Sequence, residues 1–273
     1  MIALIDLLGW DGMKFQCENC QNIVETDCDG EFVSCGRCGS VCCVARSFSP
    51  GVVIDDFSLL QLLGQGGMGV VYLAHQFSLD RKVALKILKE EVSQSDKFRE
   101  DFIRAVNHVA VASLNHPKII QAYKVGIEDD KLFFAMEYVK GQNLFDILKQ
   151  KGAVEELRVL DIALDVADAL GYAWERKPSV HRDIKPDNIM IYYEGTAKVM
   201  DLWLSCKASD MVDEDGDIIS GTPQYISPEQ IIGGDADIRI DPYCLEASLY
   251  QLLSGRCPFE GNLQEIVRKH VQE

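Results

Sequence analysis

An α+β fold in two unequal parts is what this sequence predicts, and three observations carry the prediction. Seven of the ten cysteines lie between residues 17 and 43, which marks off a small N-terminal module. Across residues 57–88 apolar side chains alternate as they do in strands, with a glycine cluster between the first two runs. Across residues 157–172 they recur instead at helical spacing. A length of 273 residues with 47% hydrophobic content can bury one large core and leave a small module beside it.

Composition narrows the function classes before any motif is considered. Lys plus Arg number 27 against 43 Asp plus Glu, a formal charge of -16. A protein that grips nucleic acid or anionic membrane regardless of sequence needs a basic face, and this chain lacks the balance for one. The opening run "MIALIDLLGW" is ten residues long and contains Asp6. It has no basic start and no small-residue cleavage site, so it reads as neither signal peptide nor spanning helix, and a cytoplasmic protein with no membrane segment is expected. Residues 1–12 read as an extension, with a short amphipathic packing helix as the alternative.

The small module spans residues 13–45. "CENC" (17–20) and "CGRC" (35–38) are two C-x2-C pairs separated by fourteen residues. This spacing is similar to that of zinc ribbons, in which each pair offers two thiolates from one tight turn. The resemblance implies Zn2+ held by Cys17, Cys20, Cys35 and Cys38, and a protein partner for the module. Some thirty residues cannot bury a core, so metal binding would supply the folding energy. Disulfides are the competing reading, disfavoured by the lack of a secretory signal. Cys42 or Cys43 could replace a primary ligand, or serve with Cys28 as small buried residues. Residues 46–56 read as a linker, because Ser, Pro and Gly break the pattern there.

In the large domain, "GQGGMGVVY" holds Gly64, Gly66 and Gly69 at G-x-G-x-x-G spacing. In a dinucleotide-binding turn those glycines lead from a strand into a helix; here "VVYLA" continues as a strand, so a hairpin is expected. Its glycines would let backbone amides approach an anion. "VALK" (83–86) follows on the next strand, "HRDIKPDN" (181–188) comes about a hundred residues later, and "MDLWLS" (200–205) places Asp201 at the end of an apolar run.

These ordered motifs resemble the protein kinase family, and specifically the bacterial serine/threonine protein kinases. The resemblance runs from residue 57 to the C-terminus. It implies a two-lobed fold, with a β-rich N-lobe over residues 57–139 and a mainly helical C-lobe over 140–273. It further implies ATP and Mg2+ as cofactors and a protein bearing Ser or Thr as substrate. Residue by residue, it assigns Asp183 to the substrate hydroxyl, Lys185 to the γ-phosphate, Lys86 to the α- and β-phosphates, and Asn188 and Asp201 to magnesium. The nucleotide would be lined by Gly64, Gln65, Gly66, Gly67, Gly69, Val71, Ala84 and Lys86. Met136 would be the gatekeeper in "FFAMEYVKG", followed by Glu137 and Val139 at the adenine, with Met190 beneath it. "GTPQYISPE" (221–229) resembles the substrate-docking end of the activation segment, including Thr222, and Arg182 would meet either a phosphate or the acidic run "DEDGD" (213–217).

The sequence also departs from the family pattern. The helix after Lys86 should present a glutamate to that lysine, but Ala105 or Asn107 falls there, and Glu100 and Asp101 come too early. Trp203 stands where D-F-G has its glycine, and Glu246 where a glycine is usual. The chain stops at Glu273, short of the last two or so helices, so exposed apolar surface is expected. Two functions therefore compete: an ATP-dependent serine/threonine kinase of impaired or unusual activity, and a pseudokinase acting as a nucleotide-binding or interaction scaffold.

Overall fold

The computed structural model describes residues 13–16, 23–26, 32–34, 36–38, 41–43, 52–65, 69–89, 114–128, 131–176, 180–202, 222–233 and 238–273. The readings placed on Ala105, Asn107, Glu100, Asp101, Trp203 and the "DEDGD" run lie outside the described residues, as do Gly66, Gly67, Cys17, Cys20 and Cys35.

At the N-terminus there are two antiparallel hairpins. Strand β1 (Met13–Gln16) pairs with β2 (Ile23–Thr26), and β3 (Phe32–Ser34) pairs with β4 (Val41–Cys43). Each C-x2-C pair falls in the connection between the two strands of one hairpin. Cys38, in the turn over residues 36–38, is exposed.

The chain divides into two compact units, the first taking in Met1–Val92 with Ile127–Phe133, the second Ser93–Gly126 with Phe134–Glu273. A six-stranded sheet runs in the order β5 (Val53–Ile54), β6 (Phe57–Gln65), β7 (Gly69–Gln76), β8 (Arg81–Leu88), β10 (Lys131–Glu137), β9 (Ala122–Glu128). Strand β5 lies inside the segment read as linker, so the sheet begins earlier than its pattern suggested. A two-residue turn explains it: Ile54 pairs with Phe57, and Asp55 takes the left-handed conformation with φ 51° that Asp tolerates. Asp56 then fixes the far end of β7 by accepting from Gln76 Nε2 at 3.1 Å and from the Ser78 amide at 3.0 Å. Phe57, Leu59, Val83, Leu85 and Leu132 of this sheet are fully buried, and Phe57 meets Phe133 edge to face at 5.9 Å.

The second unit is mainly helical. Helix α1 (Leu144–Lys151) is capped by Asn143, whose side chain accepts from the Asp146 amide at 2.7 Å. Helix α2 (Glu156–Arg176) buries Val159, Ile162, Val166, Ala169 and Ala173, the periodic face that its sequence announced. A small sheet follows, β11 (Gly141–Asn143), β12 (Ile189–Tyr192) and β13 (Ala197–Val199), antiparallel in that order. Gly141 is obligatory there, since a Cβ would overlap the Ile191 carbonyl. Helices α3 (Pro228–Ile231), α4 (Ile240–Ser254) and α5 (Leu263–Gln272) complete the unit. Leu157, Leu160 and Leu164 on α2 and Tyr250 and Leu253 on α4 are exposed. Among the described residues, no helix is long and apolar enough to cross a membrane.

Candidate active site

In the first unit Gly64 and Gly69 lie on the paired strands β6 and β7, on either side of their connection. Gly64 pairs with Val71 and Gln65 with Val70, so a strand leads in and a strand leads out. The two described glycines of the motif do different jobs. A Cβ at Gly69 would overlap the carbonyl of Ile87 on β8, whereas one at Gly64 would meet nothing within 4 Å. Gly69 is therefore needed for close strand packing, and Gly64 keeps an open approach to the hairpin. On β8, Lys86 lies opposite Val71 and the buried Ala84 opposite Leu73, which puts Lys86 and Val71 on one face of the sheet.

In the second unit, Met136 is buried near the end of β10 and Val139 is buried just beyond it. The Glu137 amide donates to the Gln121 carbonyl at 2.9 Å. The Glu137 carboxylate accepts from the Gln121 amide at 3.3 Å and pairs with Lys198 on β13. The segment after β10 is thus tied down by backbone and side chain together. Met190, half-buried on β12, pairs in register with Lys198 and Asn143.

The segment from Val180 to Asn188 belongs to neither α-helix nor strand until its last three residues, a 3-10 turn at Pro186–Asn188. Its peptide groups are held by side chains instead. Asp241, on the first turn of α4 and 6% exposed, accepts from the amides of His181 at 2.7 Å and Arg182 at 2.8 Å. Burial pushes the Asp241 carboxyl up in spite of those two amides and the neighbouring His181. His181 Nδ1 accepts from the Asp183 amide at 3.3 Å, so its Nε2 carries the proton donated to the Met200 carbonyl at 2.7 Å. Arg182 is held at φ 68°, in the left-handed region.

Around Asp183 the polar groups converge. Lys185 Nζ lies 2.8 Å from Asp183 Oδ2 and donates to Thr222 Oγ1 at 2.7 Å; Thr222 in turn donates to Asp183 Oδ1 at 3.0 Å. Asn188 Nδ2 donates to the Asp183 carbonyl at 2.7 Å and to its Oδ2 at 3.0 Å. With the amide nitrogen turned to Asp183, the Asn188 oxygen is the end left for a cation. Asp201 follows β13 at φ 55° and is 7% exposed, and the adjoining Met200 amide donates to the Asn188 carbonyl at 2.9 Å. An amide oxygen and a carboxylate on adjoining segments are hard oxygen donors of the kind magnesium takes.

Four predicted residues, Asp183, Lys185, Asn188 and Thr222, are thus joined in one hydrogen-bonded cluster. Asp241 and Gln230 were missed by sequence reasoning. Asp241 looks like an ordinary first-turn acidic residue of α4, and Gln230 falls one position past the "GTPQYISPE" motif. Asp187, half-buried in the 3-10 turn, has its carboxyl raised, chiefly by burial.

A family model described as the protein kinase domain matches residues 57–273. The chain belongs to the protein kinase family. It is 37% identical over 217 residues to the serine/threonine-protein kinase PrkC of Bacillus subtilis, a match covering 79% of this chain and 33% of that one. It is 40% identical over 231 residues to a probable serine/threonine-protein kinase PknB of Bifidobacterium longum, covering 80% and 33%. To PknB of Mycobacterium tuberculosis it is 35% identical over 233 residues, covering 82% and 37%. The chain therefore spans about a third of the length of these curated relatives. Among solved structures, a mutant of the Mycobacterium tuberculosis PknI kinase domain superposes with a TM-score of 0.66 at 27% identity, over 82% of this chain and 86% of that one.

Proposed function

We propose that this protein transfers the γ-phosphate of ATP to serine or threonine hydroxyls of a protein substrate. The observation that carries the proposal is the closed cluster of Asp183, Lys185, Thr222 and Asn188. Phosphoryl transfer asks a protein mainly to position the reactants and neutralise charge. Asp183 accepts or orients the hydroxyl proton. Its carboxylate is aimed for this by three donors, Lys185, Thr222 and Asn188. Lys185 and Lys86 supply positive charge toward the phosphates. Thr222 ties the segment that docks the substrate to the carboxylate that acts on it.

The nucleotide would be held by Gly64, Gln65, Gly66, Gly67, Gly69, Val71, Ala84, Met136, Glu137, Val139 and Met190. Magnesium would be held by Asn188 and Asp201, and when bound it neutralises charge on the phosphates. The ion pair of Glu137 with Lys198 keeps the backbone after Met136 in a fixed course for adenine.

The N-terminal module we read as a zinc ribbon with Cys17, Cys20, Cys35 and Cys38 as ligands, recruiting a protein partner. Its support is that the two C-x2-C pairs occupy the connections of two successive hairpins, the backbone arrangement that offers paired thiolates.

Transfer of labelled phosphate to a generic protein substrate, measured beside Asp183→Asn, tests the activity. The expected result is a rate that falls by about 10²–10⁴-fold in the variant. No transfer by the parent, together with thermal stabilisation by Mg-ATP that is lost in Lys86→Ala, would establish the nucleotide-binding scaffold instead.

A further inference from the structure

The peptide group joining Arg182 to Asp183 is gripped at both ends. Its N–H donates to His181 Nδ1 at 3.3 Å, and its carbonyl accepts from Gln230 Nε2 at 2.9 Å. The preceding peptide N–H, that of Arg182, is held by Asp241 at 2.8 Å. Between these grips Arg182 sits at φ 68°, a conformation that a residue with a Cβ adopts at a cost and keeps only where its surroundings enforce it. His181 belongs to the same segment and Asp241 to the first turn of α4. Gln230 comes from the four-residue helix α3 that directly follows the substrate-docking loop.

The orientation of the Gln230 amide follows from its neighbours. The oxygen accepts from the Ser227 amide at 3.2 Å and from the Cys244 thiol at 3.7 Å. Both are donors, so the nitrogen is the end that faces the Arg182 carbonyl. Burial pushes the Cys244 thiol up, which keeps it protonated and a donor. Ser227 is fully buried and closes a capping box, its Oγ accepting from the Gln230 amide at 3.3 Å. Glutamate suits that third helical position equally well for capping. What glutamate cannot do is donate to a carbonyl.

We infer that Gln230 is a positioning residue for Asp183: its side-chain amide fixes the Arg182 carbonyl, and so the direction of the catalytic carboxylate, from the helix that ends the substrate-docking loop. The inference rests on the proposed phosphate transfer and goes beyond it by naming a route from docking loop to catalytic carboxylate. That route leaves Lys86 and the glycine hairpin untouched.

Two variants of the whole chain test it. Gln230→Glu keeps the cap and replaces the donor by a carboxylate facing a carbonyl. Ser227→Ala removes half of the capping box and leaves the Gln230 nitrogen in place. Misdirected catalytic groups cost on the order of 10²-fold in rate, and a loss of that order in kcat, with KM for Mg-ATP unchanged, is expected for Gln230→Glu. Ser227→Ala should lower the melting temperature through the lost cap and reduce kcat by clearly less than Gln230→Glu does. A parent kcat in Gln230→Glu, or equal losses of kcat in both variants, would overturn the inference. Hydrogen exchange of the Asp183 amide separates this outcome from failure of the functional reading. Even if the parent transfers no phosphate, faster exchange there in Gln230→Glu, and not in Ser227→Ala, upholds the role; unchanged exchange ends it.

Discussion

The glycine hairpin and the segment from Val180 to Asn188 place their backbones in opposite ways. In β6–β7 the ladder itself does the work: Gly64 and Gln65 are set by pairing to Val71 and Val70, while Leu60, Leu62 and Leu63 stand exposed. From Val180 to Asn188 there is no ladder. Peptide groups are held one at a time by Asp241, His181, Gln230, Asn188 and the hydroxyl of Ser248, which donates to the Ile184 carbonyl at 3.4 Å. A ladder tolerates change in almost any side chain that fits the pleat. A backbone held by side chains fails when one holder is removed, because a buried amide then has nowhere to go.

The largest expected effect follows from that difference. Asp241→Ala leaves two peptide N–H groups, one of them buried, without their acceptor. Each such group costs about 1–3 kcal/mol, so denaturant unfolding should show a loss at the upper end of what single substitutions cause, together with loss of phosphate transfer. A small loss would mean that water or a neighbouring carbonyl takes over, and that the contrast with the hairpin is weaker than drawn.

A middle-sized effect sharpens the picture of the hairpin. Gly69→Ala forces a methyl into the Ile87 carbonyl and should cost about 1–3 kcal/mol, as overpacking does. Gly64→Ala enters open space and should change the unfolding free energy by no more than about 0.5 kcal/mol. Calorimetry of both, with and without Mg-ATP, separates a glycine kept for packing from one kept for access. Equal losses of stability would remove the distinction.

The smallest effect is a pH dependence in α5. His270 is buried, its Nδ1 2.7 Å from the Tyr243 hydroxyl and its ring 4.8 Å from that of Phe259. Burial holds its pKa below the ordinary histidine value. The folded pKa thus lies below the unfolded one, so in that window the unfolded state binds more protons and stability rises with pH. Acidification through the ordinary histidine range, near 6.5, should lower the melting temperature, and His270→Gln should flatten that slope. A slope unchanged in the variant would assign it to other groups.

The proposed site could be picked out in the sequence because the protein kinase family carries particular residue types in fixed order. The glycine hairpin, Lys86, Asp183, Lys185, Asn188, Asp201 and Thr222 were picked out by their motifs' resemblance to protein kinases, and the structure joins Asp183, Lys185, Asn188 and Thr222 in one cluster. Helix α2 was legible from its periodic apolar face. Helix α4 was not, because Ile240, Asp241, Cys244, Leu245, Ala247, Ser248 and Leu252 bury it on several sides and no clean stripe remains. Strand β5 was hidden by its two-residue length and by the polar turn after it.

The sequence alone determined which groups could do chemistry and the local periods that place them on strand, turn or helix, since both depend on neighbours a few residues apart. Only the tertiary structure decided who holds them. The bonds from Asp241 to His181 and Arg182, from Gln230 to Arg182 and from Glu137 to Lys198 join residues 48 to 61 positions apart. No local pattern encodes such pairs, because each partner is chosen by the need of a buried peptide or charge for a mate, and that need arises only once the chain has folded.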